Sequence, residues 1–497
     1  MKFYVTTPIY YINAQPHIGH CYTTIAADCL ARYHRMKGKD VFFLTGTDEH
    51  GDKIAQAAEK KGVTIEQFTD EMSDMFKKIW NTLNISYTRF IRTTEKEHQH
   101  NVSEVFKKLM ENGDIYQGEY SGYYCVPCEC FIPKTKIDQS NPICPDCNRS
   151  VKILTEKSYF FRLSKYQQAL INYFEKNPDM IQPQFRLEEV KSFISQGLND
   201  LSVTRQGSIW GVQSPTPEKY TVYVWFDALL NYLTGVRYKR DEANQYWPPD
   251  VQLIGKDILR FHAIIWPALL MALGLELPEK IFAHGWWTVG SEKISKSRGN
   301  IIDPIDLINR FGVDGFRYFL LKEVPFGLDG EFSEEKFIKR FNSDLANDLG
   351  NLVNRTLNLV EKLFNGSIPV GYVSSGMEQL VDRVMTDVDK SMNNVSFSDA
   401  LNEIWKIVGE LNKVLDTEKP WNSTLESAKN TLSQCIAGIH LISFFIYPFI
   451  PETAQKIWKI LNIEHKENNI ILNKDVLKIP EGTKSGQREI LFKRIKI

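Results

Sequence analysis

The chain of 497 residues has almost no net charge and no long hydrophobic run. Its 60 basic and 61 acidic side chains leave a formal net charge of −1, which argues against a histone-like protein that binds nucleic acid by bulk charge alone. The longest apolar run, Ile442 to Ile450, contains a proline and is too short to cross a bilayer. Residues 1–10 lack the basic and apolar segments of a signal peptide. These absences predict a cytoplasmic protein without a membrane segment.

Glycine-rich phosphate-binding loops are also missing, because the chain contains neither a GxGxxG nor a Walker A sequence. A dinucleotide site of that kind and a P-loop nucleotide site therefore have no support. Short internal repeats and extended low-complexity stretches are absent as well. The chain is too long for a single core, so roughly two to four domains are expected.

Only eight cysteines are present, which does not suggest a disulfide framework in a chain of this length. Four of them form two Cys-x-x-Cys pairs separated by 15 residues, Cys125 with Cys128 and Cys144 with Cys147. Four thiolates at this spacing predict one structural Zn²⁺ per chain, with no coordination position left open for a substrate. The alternative is four unrelated buried cysteines. Metal-binding thiols must be reduced, which again favours the cytoplasm.

The first 44 residues carry the pattern of a strand, a helix and a second strand. Residues 3–7 read as a strand, and a helical pattern runs from His17 to Gly38. Residues 41–44 form a continuous apolar run, typical of a buried parallel strand. This βαβ unit predicts an α/β fold that binds its ligand beyond the end of the first strand.

The rest of the chain changes character twice. Residues from about 116 to 217 are rich in turn residues and short aromatic runs and read as an insertion between two halves of a sheet. Strand patterns resume at residues 220–224 and 251–254. From Phe337 to about Lys459 the periodicity is helical throughout. We therefore expect a Rossmann-like parallel sheet with a zinc-bearing insertion, followed by an all-α bundle.

Two short motifs are the most informative features of the sequence. His17-Ile18-Gly19-His20 opens the first helix, and Lys293-Ile294-Ser295-Lys296-Ser297 begins 273 residues after His20. Two imidazoles at a helix N-terminus and two ammonium groups on a loop suit a clamp for a polyphosphate. The pair resembles the HIGH and KMSKS signatures of class I aminoacyl-tRNA synthetases, with Ile294 in place of the usual Met.

Further segments are similar to those of methionyl-tRNA synthetases, over nearly the whole chain. These segments are PIYY at 8–11, TGTDEHG at 45–51, VWFDAL at 224–229, NY at 231–232 and GKDILRFH at 255–262. We expect residues 224–232 to lie on the strand that follows the insertion. The expected domains are the two halves of a catalytic domain at 1–115 and 220–285, a connective insertion with the zinc knuckle at 116–219, the KISKS loop and stem-contact region at 286–340, an anticodon-binding domain at 341–465 and a C-terminal tail at 466–497.

The resemblance implies roles for individual residues. His17 and His20 would face the ATP triphosphate, Lys293 and Lys296 would close over it, and Gly255 and Asp257 would hold its ribose and base. Asp48 would meet the methionine ammonium. The other methionine-pocket positions are Ile9, Tyr11, Trp225, Leu229, Tyr232, Ile258 and His262, with Leu229 standing where many methionine enzymes have Pro. Asn351, Arg355 and Trp421 match the residues that read the anticodon.

The implied activity is ATP-dependent ligation of L-methionine to its tRNA through methionyl-adenylate, with Mg²⁺ accompanying ATP. Because the chain ends soon after the bundle, a monomer is expected. Two alternatives remain: a class I synthetase for another amino acid, and a non-catalytic, zinc-containing RNA-binding relative. Taken singly, Trp225, His262 and Trp421 also suit ordinary packing positions. The basic end of the chain, with Lys484, Arg488, Lys493, Arg494 and Lys496, fits either an RNA-binding face or a solvated tail.

Overall fold

The computed structural model describes residues 1–126, 130–132, 137, 142–145, 147–237, 245–289, 292–293, 302–463, 465 and 470–496. The strands are β1 (Lys2–Tyr11), β2 (Asp40–Asp48), β3 (Arg89–Arg92), β4 (Ile115–Cys125), β5 (Cys130–Ile132), β6 (Lys152–Phe161), β7 (Ile181–Gln182), β8 (Leu201–Ser202), β9 (Thr204–Arg205), β10 (Thr221–Val222), β11 (Val251–Gly255), β12 (Ile281–His284), β13 (Trp287–Val289), β14 (Glu292–Lys293) and β15 (Gly330–Glu331).

The α-helices are α1 (Ile18–Met36), α2 (Asp52–Lys61), α3 (Ile65–Thr82), α4 (Lys96–Glu111), α5 (Gln167–Lys176), α6 (Gln184–Ser195), α7 (Val224–Leu229), α8 (Asn231–Gly235), α9 (Trp266–Leu273), α10 (Pro304–Phe311), α11 (Val313–Lys322), α12 (Glu334–Arg340), α13 (Asn351–Phe364), α14 (Ser375–Asn393), α15 (Phe397–Glu418), α16 (Leu425–Ile446) and α17 (Pro451–Leu461). Short 3-10 helices lie at Leu163–Tyr166, Lys256–Ile258, Pro420–Asn422 and Lys474–Leu477, and π-helical segments lie at Phe261–Ile265 and Phe341–Gly350.

A six-stranded parallel sheet forms the centre of the first domain, in the order β3-β2-β1-β11-β12-β7. Phe3 and Val5 pack into the core on one side of the sheet, and Tyr4 packs into the core on the other. Because both faces are covered, the central strands are buried along most of their length rather than at alternate positions. The strands predicted at 3–7, 41–44 and 251–254 are confirmed, and so is the Rossmann-like class of the fold.

The first helix also lies where the sequence predicts it. α1 runs from Ile18 to Met36, with His17 as its N-cap. Gly38 follows its end with a φ of 74°, in the left-handed region that favours glycine. The helix therefore ends as expected, and its N-terminus lies beyond the carboxyl end of β1.

The insertion builds a separate antiparallel sheet in the order β5-β4-β6-β8. It also returns one short strand, β7, to the far edge of the parallel sheet beside β12. The sequence does not predict β7, because two residues are too few to show a periodicity.

The strand predicted at residues 220–224 is wrong in two respects. The paired strand contains Thr221 and Val222 alone, and they pair antiparallel with β9 rather than joining the parallel sheet. The residues from 224 to 232, which we expected on that strand, are helical instead: Val224 to Leu229 form helix α7, and Asn231 and Tyr232 begin helix α8. The apolar composition of this segment suits either structure, so periodicity cannot distinguish a buried strand from a short buried helix here.

Helices α12 to α17 form the predicted bundle. The apolar residues of α15 recur at three- and four-residue steps and are buried between α14 and α16: Ile404, Ile407, Val408, Leu411 and Leu415. Among the described residues, none of the helices has the length and hydropathy needed to cross a lipid bilayer.

The end of the chain folds back along this bundle. The backbone of Ser485 bonds to Gly366, and Arg488 donates to the side chain of Asn358 on α13. Near the last residues, Ile495 exchanges two hydrogen bonds of 2.8 Å with the side-chain amide of Asn342. The segment is thus part of the folded body. Three of its apolar side chains are half-buried and pack against the core: Leu491, Phe492 and Ile495. Its five basic side chains are exposed: Lys484, Arg488, Lys493, Arg494 and Lys496.

A buried ion cluster joins the sheet domain to the bundle. The carboxylate of Asp28 on α1 accepts from Arg32 Nε at 2.9 Å and from Arg317 Nη2 at 2.7 Å. Arg317, on α11, also donates to the carbonyls of Pro448 at 2.9 Å and Phe449 at 2.8 Å, which lie between α16 and α17. Burial alone would raise the pKa of Asp28, but the two guanidinium groups hold it at about 2.

Replacing Asp28 by Asn should lower the free energy of unfolding by about 3–5 kcal/mol, because two guanidinium groups would remain buried without their counter-charge. Urea or thermal unfolding measures the loss. The matched control is Glu104→Gln, which removes an exposed ion pair with Lys107 and should cost less than about 1 kcal/mol. Because the pKa of Asp28 lies below that of an unfolded Asp, its contribution should disappear as the pH falls from about 4 towards 2. Equal stability of the two variants at neutral pH would contradict this assignment.

Candidate functional site

A crevice opens at the carboxyl end of β1. The pairs that join β1 to β11 end at Thr6 with Gln252, whereas those with β2 continue to Tyr11 with Asp48. The register shifts between Thr6 and Ile9, where Pro8 has no N–H to donate to a ladder. The strand order also reverses here: β2 and β3 are added outward from β1 on one side, and β12 is added outward from β11 on the other. Open α/β sheets bind their ligands at such a point.

Two histidines occupy the N-terminus of α1 at this crevice. His17 Nδ1 accepts from the backbone N–H of Gly19 at 3.1 Å, and His20 Nδ1 accepts from the N–H of His17 at 3.2 Å. Burial and the neighbouring His17 lower the pKa of His20 well below its ordinary value. The neutral His20 ring therefore carries its proton on Nε2. The rings stack with centroids 3.8 Å apart at the positive end of the helix dipole, which favours an anion.

A third histidine supports α1 and is missed by sequence reasoning. His284, the last residue of β12, donates from Nδ1 to the carbonyl of Gly285 at 2.7 Å. Its Nε2 therefore accepts from Thr23 Oγ1 at 2.6 Å, and burial lowers the pKa of the ring. This bond fixes the second turn of α1 against the end of β12. A lone histidine at the end of an apolar strand carries no local signal for such a role.

Gly255 and Asp257 lie at the end of β11, on the other side of the crevice. A Cβ on Gly255 would lie 2.6 Å from Asp257 Oδ1, so a larger residue would displace that carboxylate. Trp286 Nε1 donates to the same oxygen at 3.1 Å. Lys256 donates to Asp329 at 2.6 Å and the N–H of Trp286 donates to the same carboxylate at 2.8 Å, and together with the nearby positive charge these bonds outweigh the effect of burial and lower the pKa of Asp329. The turn after β11 is thus held by charged and aromatic neighbours.

Of the two lysines of the KISKS segment, Lys293 lies within the described residues and Lys296 does not. Lys293 ends β14, whose backbone pairs with β13 at Thr288. Lys296 lies outside the described residues, as do Ile294, Ser295 and Ser297. The arrangement of this loop therefore stays a prediction.

The predicted methionine-pocket residues fall into two groups. Five of them pack in or against one apolar cluster on one side of the sheet: Ile9, Trp225, Leu229, Tyr232 and Ile258. Trp225 stacks on Phe261 with ring centroids 3.8 Å apart, and the edge of His262 meets it at 6.3 Å. This arrangement gives a soft, aromatic-walled environment of the kind that a thioether prefers.

His262 is the polar member of this group. It donates from Nδ1 to the carbonyl of Ile258 at 3.0 Å, so Nε2 accepts from the hydroxyl of Tyr232 at 2.8 Å. Burial lowers its pKa to about 4, so the ring is neutral at pH 7. The pocket wall thus carries no charge at this position.

Asp48 and Tyr11 form the second group. They face each other across the ends of β2 and β1, and Tyr11 packs against the core on the opposite side of the sheet from Trp225. The next residue, Glu49, is buried and accepts from Arg92 at 2.7 and 2.9 Å. Its backbone carbonyl accepts from Trp210 Nε1 at 2.6 Å. The loop that directly follows Asp48 is therefore fixed from both sides.

A buried carboxylate lies behind the aromatic wall. Asp227, on α7, accepts from His50 Nδ1 at 2.6 Å and from His98 Nε2 at 2.8 Å. His98 Nδ1 lies 3.0 Å from the hydroxyl of Thr234 on α8. Burial alone would raise the pKa of Asp227, but the two imidazoles lower it to about 2. These partners are up to 177 residues apart in sequence, so the sequence does not reveal the network.

A cluster of thiols lies in the insertion, away from the crevice. The sulfur atoms of Cys125, Cys144 and Cys147 lie within 4.8 Å of one another, and a metal could bind there. The predicted fourth ligand, Cys128, lies outside the described residues. Among the described residues, the apolar core around these thiols is small and includes Tyr123, Ile132 and Val151. A metal would therefore add a crosslink that so small a core needs.

The three predicted anticodon residues share one surface of the bundle. Arg355 lies one turn after Asn351 on α13 and donates to Asp416 at 2.6 Å. Its guanidinium lies 5.9 Å from the ring centroid of Trp421. Trp421 follows α15 in a short 3-10 turn and is 48% exposed. The ring is thus not part of the packed core of the bundle.

Comparison with known proteins covers the whole chain. A family described as "tRNA synthetases class I (M)" matches residues 3–357, and one described as "Anticodon binding domain of methionyl tRNA ligase" matches residues 369–497. The methionine–tRNA ligase of Caldanaerobacter subterraneus subsp. tengcongensis is 47% identical over 508 residues, which cover 100% of this chain and 79% of the relative. The Thermotoga maritima enzyme is 44% identical, with 100% and 80% covered.

A solved structure extends this likeness to three dimensions. The Mycobacterium tuberculosis methionyl-tRNA synthetase in complex with methionyl-adenylate is 40% identical and superimposes with a TM-score of 0.93, covering 99% of this chain and 100% of the other. Together with the parallel sheet, the histidine-capped α1 and the helical bundle, these matches show that this chain belongs to the class I tRNA synthetases of the methionyl type.

Proposed function

We propose that this chain activates L-methionine with ATP and transfers it to its cognate tRNA. The observation that carries the proposal is the presence of two kinds of site in one crevice. The first is the pair of imidazoles, His17 and His20, at the N-terminus of α1. The second is the aromatic pocket around Trp225, with the carboxylate of Asp48 at a neighbouring strand end.

In the first step, a methionine carboxylate oxygen attacks the α-phosphorus of ATP. A new P–O bond forms, the bond to the β-phosphate oxygen breaks, and pyrophosphate leaves. No protein nucleophile is required. Catalysis consists of holding the reactants in line and stabilising the charge that develops on the phosphates.

The imidazoles of His17 and His20 supply hydrogen-bond donors for this charge. Each ring uses Nδ1 as an acceptor for a backbone N–H, so in the neutral ring Nε2 is the donor. We assign the two Nε2–H groups to phosphate oxygens. Lys293 and Lys296 would add positive charge from the KISKS loop, and Gly255 and Asp257 would hold the adenosine.

Methionine recognition combines one charge with one apolar cavity. Asp48 would bind the substrate ammonium, and the thioether would lie among Ile9, Tyr11, Trp225, Leu229, Tyr232, Ile258 and His262. Since His262 is neutral and bonded to Tyr232, the wall it forms suits an uncharged side chain. Charged amino acids would lose their hydration there without gaining a partner.

In the second step, the 2′-hydroxyl of the terminal tRNA ribose attacks the carbonyl carbon of methionyl-adenylate, and AMP leaves. Asn351, Arg355 and Trp421 would meet the anticodon on the bundle. An exposed aromatic ring beside a guanidinium suits an unstacked base.

Two metals belong to the proposal. Zn²⁺ would be held by Cys125, Cys128, Cys144 and Cys147 in a structural site, which the three clustered thiols support. Mg²⁺ would accompany ATP as part of the substrate.

The proposed boundaries of the domains are those expected from the sequence. We further propose that the enzyme acts in the cytoplasm, where metal-binding thiols stay reduced. We propose a monomer, since a single chain supplies every residue of the proposed site.

Methionine-dependent exchange of pyrophosphate into ATP should be measurable with the purified chain. Norleucine, which has a methylene in place of the sulfur, should support weak exchange, and leucine, which is shorter and branched, should support less. An apolar pocket separates such similar side chains by about 1–3 kcal/mol. Equal exchange with leucine would indicate another specificity. The absence of exchange with every amino acid would favour the non-catalytic alternative.

Metal analysis should find about one zinc per chain. Cys144→Ser should lose this zinc and expose residues 116–161 to proteases, because the small core around the thiols cannot fold alone. Cys435→Ser is the control, since Cys435 is buried in the bundle away from the thiol cluster, and it should keep the metal. Retention of full zinc in Cys144→Ser would refute the site.

Trp421→Ala should reduce the efficiency of tRNA charging by about tenfold or more and leave pyrophosphate exchange intact, since one stacked base is worth about 1–3 kcal/mol. Phe185→Ala is a matched control, because Phe185 is equally exposed, at 47%, but lies on α6. If both activities fall together in Trp421→Ala, the ring serves packing instead. If neither falls, the anticodon is read elsewhere.

A further inference from the structure

The network of Asp227, His50 and His98 connects the elements that carry the proposed methionine pocket. His50 lies two residues after Asp48, on the loop that follows β2. Asp227 lies on α7 between Trp225 and Leu229. One buried carboxylate thus joins the charged end of the pocket to its aromatic wall.

The network also reaches helix α8, which carries the pocket residue Tyr232. His98, on α4, bonds to Asp227 with Nε2 and meets Thr234 with Nδ1. Thr234 is two residues after Tyr232 on α8, and it also accepts from Asn101 Nδ2 at 3.2 Å. The ring of His98 therefore fixes the distance between α7 and α8.

Helix α7 depends on this anchor. It has only six residues, and no side chain caps its N-terminus. So short a helix has little stability of its own. On a helix, Trp225 and Leu229 share one face, while Asp227, two positions from each, points to roughly the opposite side. The carboxylate can thus hold the helix from behind while the other face serves the pocket.

The ionised form of Asp227 is what the geometry requires. Its two oxygens each accept from an imidazole N–H, which a neutral amide cannot match, since one of its two atoms is itself a donor. Hydrogen bonds to a charged group are also stronger and more directional than those between neutral groups.

We propose that Asp227, with His50 and His98, is a positioning device that sets the distance between the Asp48 carboxylate and the Trp225–Leu229 wall, and so determines the affinity for methionine. The proposal rests on the proposed function, because it takes Asp48 and Trp225 as pocket residues. None of the three residues touches substrate in this account. They act through the elements that they hold.

The test compares how a variant changes the KM for methionine and the KM for ATP. Asp227→Asn should raise the KM for methionine in pyrophosphate exchange by about tenfold or more, the ratio expected for one lost charge-assisted hydrogen bond, while the KM for ATP changes less than about twofold. Asp314→Asn is the matched control. Asp314 is also a buried carboxylate, but it bonds to Thr453 at the start of α17. It should leave the KM for methionine unchanged, even where it lowers the melting temperature.

A second pair of variants tests whether the residues act as a unit. His50→Asn should raise the methionine KM in the same direction, and the double variant with Asp227→Asn should be little worse than the single ones, because both remove the same bond. If Asp227→Asn does not yield folded protein, His98→Gln carries the test with a smaller rise in the methionine KM.

The outcomes separate this proposal from the function itself. An inactive wild-type chain would reject the proposed function. An active wild type whose network variants show an unchanged methionine KM, or equal changes for methionine and ATP, would overturn the positioning role alone.

Discussion

The candidate site depends on the central position of β1 in the parallel sheet. β1 pairs with β11 only through Thr6 but stays with β2 as far as Tyr11, so the two halves of the sheet separate at their carboxyl ends. Pro8, which cannot donate a backbone hydrogen bond, lies where the ladder shifts. The N-terminus of α1 and the ends of β2, β11 and β12 then all face the same opening. The residues proposed for ATP and methionine meet there because the strands end there.

A second constraint holds the bundle against this sheet. The Asp28 carboxylate receives guanidinium groups from α1 and α11, and Arg317 carries the contact onward to the carbonyls between α16 and α17. A buried charge cluster is costly to separate, since each unpaired ion would lose its compensation. The bundle surface around Trp421 is therefore held in a fixed place relative to the crevice. The C-terminal segment adds a further contact within the bundle itself, through Asn342 and Ile495.

The sequence predicts those parts of the molecule whose residues follow a recognisable pattern over a short stretch of chain. The βαβ unit, the strand at 251–254, the bundle and the thiol pairs each have a local pattern that follows from helix, strand or metal geometry. The motifs around His17, Asp48 and Trp225 were recognised through their resemblance to a family, since a single Asp or Trp has many roles.

The remainder could not be predicted, because it consists of contacts between distant residues. His284 supports Thr23, Arg92 holds Glu49, and Asp227 receives His50 and His98, all without any periodic signal. The sequence predicts a strand where helix α7 lies, because a buried apolar segment of six residues suits both structures. Strand β7 is too short to show any pattern.

The most direct test of the account is a crystal structure of this chain with a non-hydrolysable methionyl-adenylate analogue. The account predicts that the analogue's amino group lies within hydrogen-bond distance of Asp48, that its methyl thioether packs against Trp225 and His262, and that its adenosine lies beside Gly255 and Asp257. A thioether bound outside the Trp225 cluster, or an adenosine bound away from the end of β11, would contradict it.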